Sequence, residues 1–468
     1  MNVFEVLRER GFATVPFEFY SLIDVWKEWY KGNVQTFHTY RVFNGQKSVK
    51  CKRYTMNMGK KVSEDWANLL MNEKVVITLE GEKEQEFFDR VCRENNFYVK
   101  ANEIQELKAA LGTVAFVPRA SGVDVSVDTG DVVLGSGSVK IDYVTAESII
   151  PLSWENGIVK ECAFIGHKVN GKNKFLYLQI HRINEAGLYV IENLAFYNNN
   201  GNMSPATLEE AGIHDVSPVV NTGSAKRQFV VDRLNIANNV DVSLPMGVPV
   251  FANAIDQLKG VDIAYDSYVN EFILGKKRIM VKPEATKSLD GEPFFDENDL
   301  TFYLLPEDAQ CGDVIKEIDM KLRTSEHNVG IQDALNALSS KCGFGENHYR
   351  FDRGSVSTAT QIISENSTMF RTIKKHEIIL EDVLKELCRI ILRLGNIVEG
   401  GLNEDVEISI DFDDSIIEDK ETEFNRDARM VSMGVMNAWE FRAKWMNEDE
   451  ETAKAALPRM ETLVSDGA

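Results

Sequence analysis

The chain has 468 residues, with 52 basic and 73 acidic side chains and a formal net charge of −21. That balance excludes a general nucleic-acid-coating role, which needs a cationic surface, although local basic clusters can still touch DNA. The 44% hydrophobic and 27% charged fractions are ordinary for a globular protein, and the length suits several domains or one large modular subunit.

The stretch MNVFEVLRERGF lacks the basic-then-apolar order of a secretory signal. No apolar run approaches the ~20 residues that cross a bilayer, so synthesis and assembly in a cytoplasm, without a membrane partner, are expected. Residues 1–50 are aromatic-rich helical and loop material, as in FEFYSLIDVWKEWYKG. In KVSEDWANLLMNEKVVI, Ser63 reads as an N-cap, and Trp66, Leu69 and Leu70 share one apolar helix face. Two more helices are expected around Glu82–Arg93 and Asn102–Leu111. From Thr113 to about Tyr197 the chain alternates as strands do, through TVAFVPRA, VDVSVDTGDVVLG, SVKIDYV and AGLYVIENLAFY. Between them IVKECAFIGHKVNGKNKFLYLQIHRI predicts a hairpin turning at Asn170-Gly171. Residues 198–228 read as an irregular excursion.

A different module begins at Gly247. Phe251, Ile255, Leu258, Val261, Tyr265, Tyr268 and Phe272 recur at three- and four-residue spacing, which predicts a helix ending at Gly275. Short strands (RIMV, LTFYLLP, VIKEIDM) then alternate with turn material, and a helix returns at SEHNVGIQDALNALSSKC. If the small module at 276–320 hangs at the tips of these two helices, they run antiparallel, as a stalk with a knob. The loop GFGENHYRFDRGSVS follows. Thr358 and Gln361 then read as a capping box opening a helix to about Leu394, with Ile373, Leu380, Leu384, Leu387, Ile391 and Leu394 on one seam. DVEISIDFDD is a late strand, and the tail reads as short helices started by Asn437 and Asn447.

Catalytic patterns are sparse. Cys51, Cys92, Cys162, Cys311, Cys342 and Cys388 contain no C-x-x-C pair, which excludes a zinc ribbon or thioredoxin-like site and suits free thiols in a reducing compartment. GDVVLGSGSVK, at 130–140, glances at a P-loop but places Ser136 where lysine belongs and reads as a glycine-rich hairpin. GFGENH puts His348 at the third glycine position of a dinucleotide fingerprint, and no strand precedes it. The seven histidines show no metal-ligand spacing, so no metal or cofactor is expected. Asp411 and Asp413 share a strand face, as nuclease carboxylates do, but the acid-rich stretch also reads as a solvated strand end. Lys276, Lys277, Arg278 and Lys282 form a basic cluster suited either to phosphate contact or to guarding a strand edge. The 343–357 loop, with Gly343, Gly345 and Gly354 permitting unusual backbone states, is either a mobile functional element or an outer-surface helix connection.

Four stretches carry a resemblance: YTMNMGKKVSEDWANLLMNEKVVI (54–77), VFANAIDQLKGVDIAYDSYVNEFILGKKRI (250–279), HNVGIQDALNALSSKCGFG (327–345) and TATQIISENSTMFRTIKKHE (358–377). In these, and in module order, the chain resembles the portal proteins of tailed bacteriophages, the family found in phages of Gram-positive bacteria. The resemblance implies an α+β, non-enzymatic subunit of a homo-oligomeric ring, usually dodecameric, at one capsid vertex. Double-stranded DNA would pass non-specifically through its channel in packaging and ejection. Large terminase, head-completion or connector proteins, and major capsid and scaffolding proteins would be partners.

By position, the resemblance implies an N-terminal arm (1–50), a wing (51–246), a first stem helix (247–275), a clip (276–320) and a second stem helix (321–342). A tunnel loop (343–357), a long helix (358–398), a wing return strand (399–425) and a crown (426–468) would follow. Gly343, Gly345, Glu346, Asn347, His348, Arg350, Arg353 and Gly354 would then face DNA, and Lys276, Lys277, Arg278 and Lys282 would contact DNA or clip partners. Two alternatives belong to other classes: a metal-dependent nuclease or phosphotransferase around Asp411 and Asp413, and a monomeric virion scaffold or adaptor.

Overall fold

Aromatic side chains seat the amino-terminal helices. The computed structural model describes residues 2–43, 45–71, 75–123, 125–126, 130, 132, 137–199, 201–214, 216–282, 302–304, 315–351, 359–412, 420–446 and 448–457. It divides into two compact units, Met1–Asp411 and Phe412–Ala468. In the first, Asn2 and Glu5 close a capping box on α1 (Val3–Glu9). Helix α2 (Phe17–Tyr30) buries Phe19, Tyr20, Ile23, Trp26 and Trp29. The Tyr20 hydroxyl donates to the Ile149 carbonyl at 2.7 Å, fixing α2 to the sheet region.

A short α3 (Gln35–His38) leads into β1 (Thr39–Phe43) and β2 (Ser48–Lys52), which pair with each other as a two-stranded ribbon. Helix α4 (Met58–Leu70) starts after Asn57, whose φ of 51° is left-handed. Ser63 is therefore not a cap. It sits inside α4 with its hydroxyl donating to the Gly59 carbonyl at 2.8 Å. Strand β3 (Val76–Leu79) precedes α5 (Glu82–Glu94) and α6 (Phe97–Leu111).

After Gly112 come β4 (Thr113–Ser121), β5 (Ser138–Thr145), β6 (Ile149–Glu155), β7 (Ile158–Asn170), β8 (Asn173–Ile183) and β9 (Tyr189–Asn199). The predicted hairpin is β7–β8, with Asn170 opposite Asn173 and Gly171 at φ +60° in the turn. The stretch expected to be irregular holds two strands, β10 (Asn202–Ala206) and β11 (Val219–Asn221), both paired to β9. With β12 (Val230–Arg233), two antiparallel sheets result, β10-β9-β8-β7-β6 with β11 beside β9, and β12-β4-β5. Ala115 and Val117 of β4 pack with Ile149, Val159, Cys162, Phe164, Tyr189 and Phe229, so one core joins both sheets. On β12, buried Asp232 accepts from Lys108 Nζ of α6 at 3.0 and 3.1 Å and from Gln105 Nε2 at 2.8 Å.

Helix α7 (Ile255–Leu274) leads to a small sheet of β13 (Arg278–Val281), β14 (Phe302–Leu304) and β15 (Ile315–Ile318). Helices α8 (Thr324–Lys341) and α9 (Ala359–Val398) follow. The 40 residues of α9 span about 60 Å. Its predicted seam (Ile373, Leu380, Leu384, Leu387, Ile391, Leu394) is buried throughout, at 2% exposure or less. It packs on β4, β5 and β12, on α4 and α5, and on β16 (Ile408–Asp411), which pairs with β3. Helices and mostly antiparallel sheets make the fold α+β.

The second unit holds α10 (Lys420–Ser432), α11 (Ala438–Met446) and α12 (Glu450–Ala455). Buried Asp427 accepts from Lys444 at 2.8 Å and from Trp445 Nε1 at 3.2 Å, joining α10 to α11. Asp449 caps α12 through the Thr452 amide at 2.9 Å, whereas Asn447, the expected start, lies outside the described residues.

Candidate functional site

Helices α7 and α8 pack against each other and run antiparallel, because the end of α7 meets the start of α8. Arg323 grips Glu271 there with a two-pronged fork, Nε to Oε1 at 3.0 Å and Nη2 to Oε2 at 2.8 Å. That fork holds the Glu271 carboxyl down at about 2. Tyr268 packs edge-on to His327 at 6.2 Å. Leu258 and Val261 of α7, and Ile331, Leu335 and Leu338 of α8, are buried, while Ile263, Phe272, Ile273, Leu274 and Val329 are exposed.

Beyond this tip stands the small sheet. β13 is its central strand, parallel to β14 and antiparallel to β15, so the basic cluster does not guard an edge. Lys276 and Lys277 are exposed; Arg278 and Lys282 are half-buried. Lys277 pairs with Glu317 of β15, which removes part of the cluster's free charge.

At its other end α8 runs into the glycine-rich loop, whose first half is firmly seated. Gly343 adopts φ +86°, and a Cβ there would lie 2.9 Å from Thr372 Cγ2. Only glycine meets both demands without strain. Gly345 uses no positive φ; Asn347, at φ 64°, takes the left-handed state instead. Phe344 is buried against Trp66, and His348 stacks on Phe344 with centroids 4.3 Å apart. Trp66 Nε1 donates to the Cys342 carbonyl at 3.0 Å. From α8, Gln332 clamps the chain twice: Nε2 donates to the Tyr349 carbonyl at 2.8 Å, and Oε1 accepts the Phe351 amide at 2.9 Å. Glu346, His348 and Arg350 are exposed, whereas Arg353, Gly354 and Thr358 lie outside the described residues.

A stalk of two antiparallel helices, a small sheet at its tip and a glycine-rich loop leading to a long helix are thus laid out in chain order. A family model described as Phage portal protein, SPP1 Gp6-like, matches residues 17–459. The chain belongs to this family of phage portal proteins. A comparison with curated proteins found no match.

In this portal protein two arrangements escaped sequence reasoning. The first ties α7 to the amino-terminal region. Asp262 Oδ2 accepts from His38 Nε2 at 3.0 Å, and Oδ1 accepts from the Thr55 hydroxyl and the Met56 amide, each at 2.9 Å. One turn on, Asp266 accepts the Tyr54 amide at 2.9 Å. The second is a pair of buried, uncharged imidazoles. His181 stands edge-on to Phe164 and Phe229, and burial pushes it down to about 3. His376 is also pushed to about 3, by burial and then by the Lys108 charge, while its Nδ1 accepts the Asn235 amide at 3.1 Å.

The remaining candidates form no site among the described residues. Asp411 is exposed at the end of β16; Asp413 and Asp414, and Ser136 of the P-loop-like stretch, lie outside the described residues. No group of acids, histidines and cysteines fit to hold a metal occurs among the described residues. Nor, among them, is any helix long and apolar enough to cross a membrane.

Proposed function

We propose that the protein is the ring-forming subunit of a capsid portal vertex, through whose channel double-stranded DNA is packaged and later released. The observation that supports this most is the α7–α8 stalk with its small sheet, joined by the glycine-rich loop to α9, in a chain of the portal family. In this reading α7 and α8 are stem helices, 276–320 is the clip that docks large terminase and then connector proteins, and 343–357 is the tunnel loop. The first half of that loop is a fixed mount. Its outward Glu346, His348 and Arg350 would present polar groups to a moving duplex without reading sequence. The wing (51–246, with 399–425) and crown (426–468) would meet capsid and scaffolding proteins. The excess of acids would keep DNA sliding by repelling phosphate.

Sedimentation and negative-stain imaging of the purified protein test the reading. Annular particles of about twelve subunits are expected. A particle that stays at 52.8 kDa under all conditions would overturn it in favour of a monomeric adaptor.

A further inference from the structure

The chain's cations are not spread evenly. Between Glu28 and Glu64 there is no acidic residue, yet Lys31, Arg41, Lys47, Lys50, Lys52, Arg53, Lys60 and Lys61 fall there. That window carries +8, so the remainder of the −21 chain carries −29. At its centre is the β1–β2 ribbon. Register places Arg41 opposite Lys50 and Thr39 opposite Lys52 on one face, and Val42 opposite Val49 and Tyr40 opposite Cys51 on the other. One face is therefore cationic and the other largely apolar. Neither is covered: Arg41, Lys50 and Lys52 are exposed, as are Val42 (46%) and Val49 (37%) on the apolar face, while Phe43 (69%), opposite Ser48, adds an exposed ring at the end of the cationic face. Arg41 Nε meets the Ser48 hydroxyl at 3.3 Å, and no ion pair of the described residues includes Arg41, Lys50 or Lys52.

A directly opposed Arg–Lys pair on an isolated ribbon is unfavourable by itself. The root of the ribbon is nonetheless firmly held, by His38, Tyr54, Thr55 and Met56 on Asp262 and Asp266, and by Arg53 Nη1 donating to the Phe37 carbonyl at 2.6 Å. A rigidly mounted arm with one cationic face and one apolar face fits an acidic protein surface better than bare phosphate, which would leave the apolar face wet.

We propose that the ribbon docks on a second copy of this chain, with Arg41, Lys50 and Lys52 set against its carboxylates and Val42 and Val49 against its apolar surface. The occupant follows from charge complementarity. Subunits of −21 repel one another on assembly, and the surface outside the 29–63 window is the most acidic partner always at hand. The inference rests on the portal-ring reading for the presence of neighbouring copies.

The test compares the wild-type chain with an R41E/K50E/K52E variant by sedimentation at rising salt, checking folding by circular dichroism and Tm. The wild-type assembly should weaken as salt screens the contacts, and the folded variant should assemble about tenfold more weakly or not at all. R41Q/K50Q/K52Q serves if charge reversal disturbs folding. Independently, carbodiimide coupling of mixed isotope-labelled and unlabelled wild-type chains should join Lys50 or Lys52 to an Asp or Glu of another copy. A variant that assembles as wild type, with the same salt dependence, overturns the ribbon proposal and leaves the portal reading intact. Binding of a labelled DNA duplex that is lost in the variant while assembly is kept reassigns the ribbon to nucleic acid and also overturns it. A wild-type chain that stays monomeric, without crosslinks between copies, overturns both readings.

Discussion

His38 Nε2 lies 3.0 Å from Asp262 Oδ2, across 224 positions of sequence, and both side chains are buried. His38 Nδ1 accepts the Val34 amide at 2.8 Å, so the ring proton sits on Nε2 and is donated to the carboxylate. The other carboxylate oxygen holds Thr55 and Met56. One side chain of α7 thus fastens both ends of the amino-terminal ribbon.

Asp262→Ala should cost about 3 kcal/mol or more, because three donors lose their acceptor in a site with little water. Asp262→Asn keeps one acceptor oxygen and should cost less. Chemical denaturation of both variants gives the comparison, and equal losses would show that a neutral amide oxygen cannot stand in for the carboxylate.

A second expectation concerns acid stability. Burial moves His181 from the ordinary 6.5 to about 3. Its folded value is the lower one, so its contribution is fully present above pH 6.5 and is lost as pH falls toward 3, where the unfolded chain takes up a proton the folded chain refuses. His181→Phe keeps an aromatic ring between Phe164 and Phe229 and removes that proton. Between pH 6 and 4 the variant's stability should fall less steeply than the wild type's, by about 1.4 kcal/mol per pH unit. Parallel slopes in urea titrations across that range would refute the assignment.

Backbone meets backbone at Gly112 and Gly247. A Cβ on Gly247 would stand 2.3 Å from the Gly112 carbonyl oxygen and 2.9 Å from Arg233 Cβ. Gly247→Ala should therefore destabilise by about 1–3 kcal/mol. Gly260→Ala is the control, since nothing lies within 4 Å of a Cβ there. As a helix-interior substitution it should be neutral or stabilising, by up to about 1 kcal/mol. Thermal unfolding of the pair separates them.

The Gln332 clamp predicts a local effect. Gln332→Ala frees the Tyr349 carbonyl and the Phe351 amide, and should speed hydrogen exchange at Phe351 while lowering global stability by only about 1 kcal/mol. Unchanged exchange would mean that packing of Phe344 and Tyr349 alone holds the loop.

Elements with strong periodicity were legible in the sequence. The α9 seam, the buried Leu258 and Val261 of α7 and the β7–β8 turn at Gly171 follow from local spacing, whereas Phe251 of the predicted α7 row precedes the helix and Phe272 is exposed. What failed was set by distant partners. Ser63 carries the chemistry of a cap, but the turn before it is already helical from Met58. β10 contains Pro205 and polar residues and becomes a strand only because β9 offers it an edge. The seating of 343–351 depends on Trp66, 276 positions from the carbonyl it binds. No short-range pattern could have placed that tryptophan under Phe344, or Asp262 beside His38.

The long helix α9 carries one more implication. From Ile373 to Leu394 it is embedded against sheets and helices. Such a rod behaves as a stiff spine. A sideways load on it is carried into the buried leucines and shared among every layer they touch, so it would strain the whole first unit instead of bending one joint.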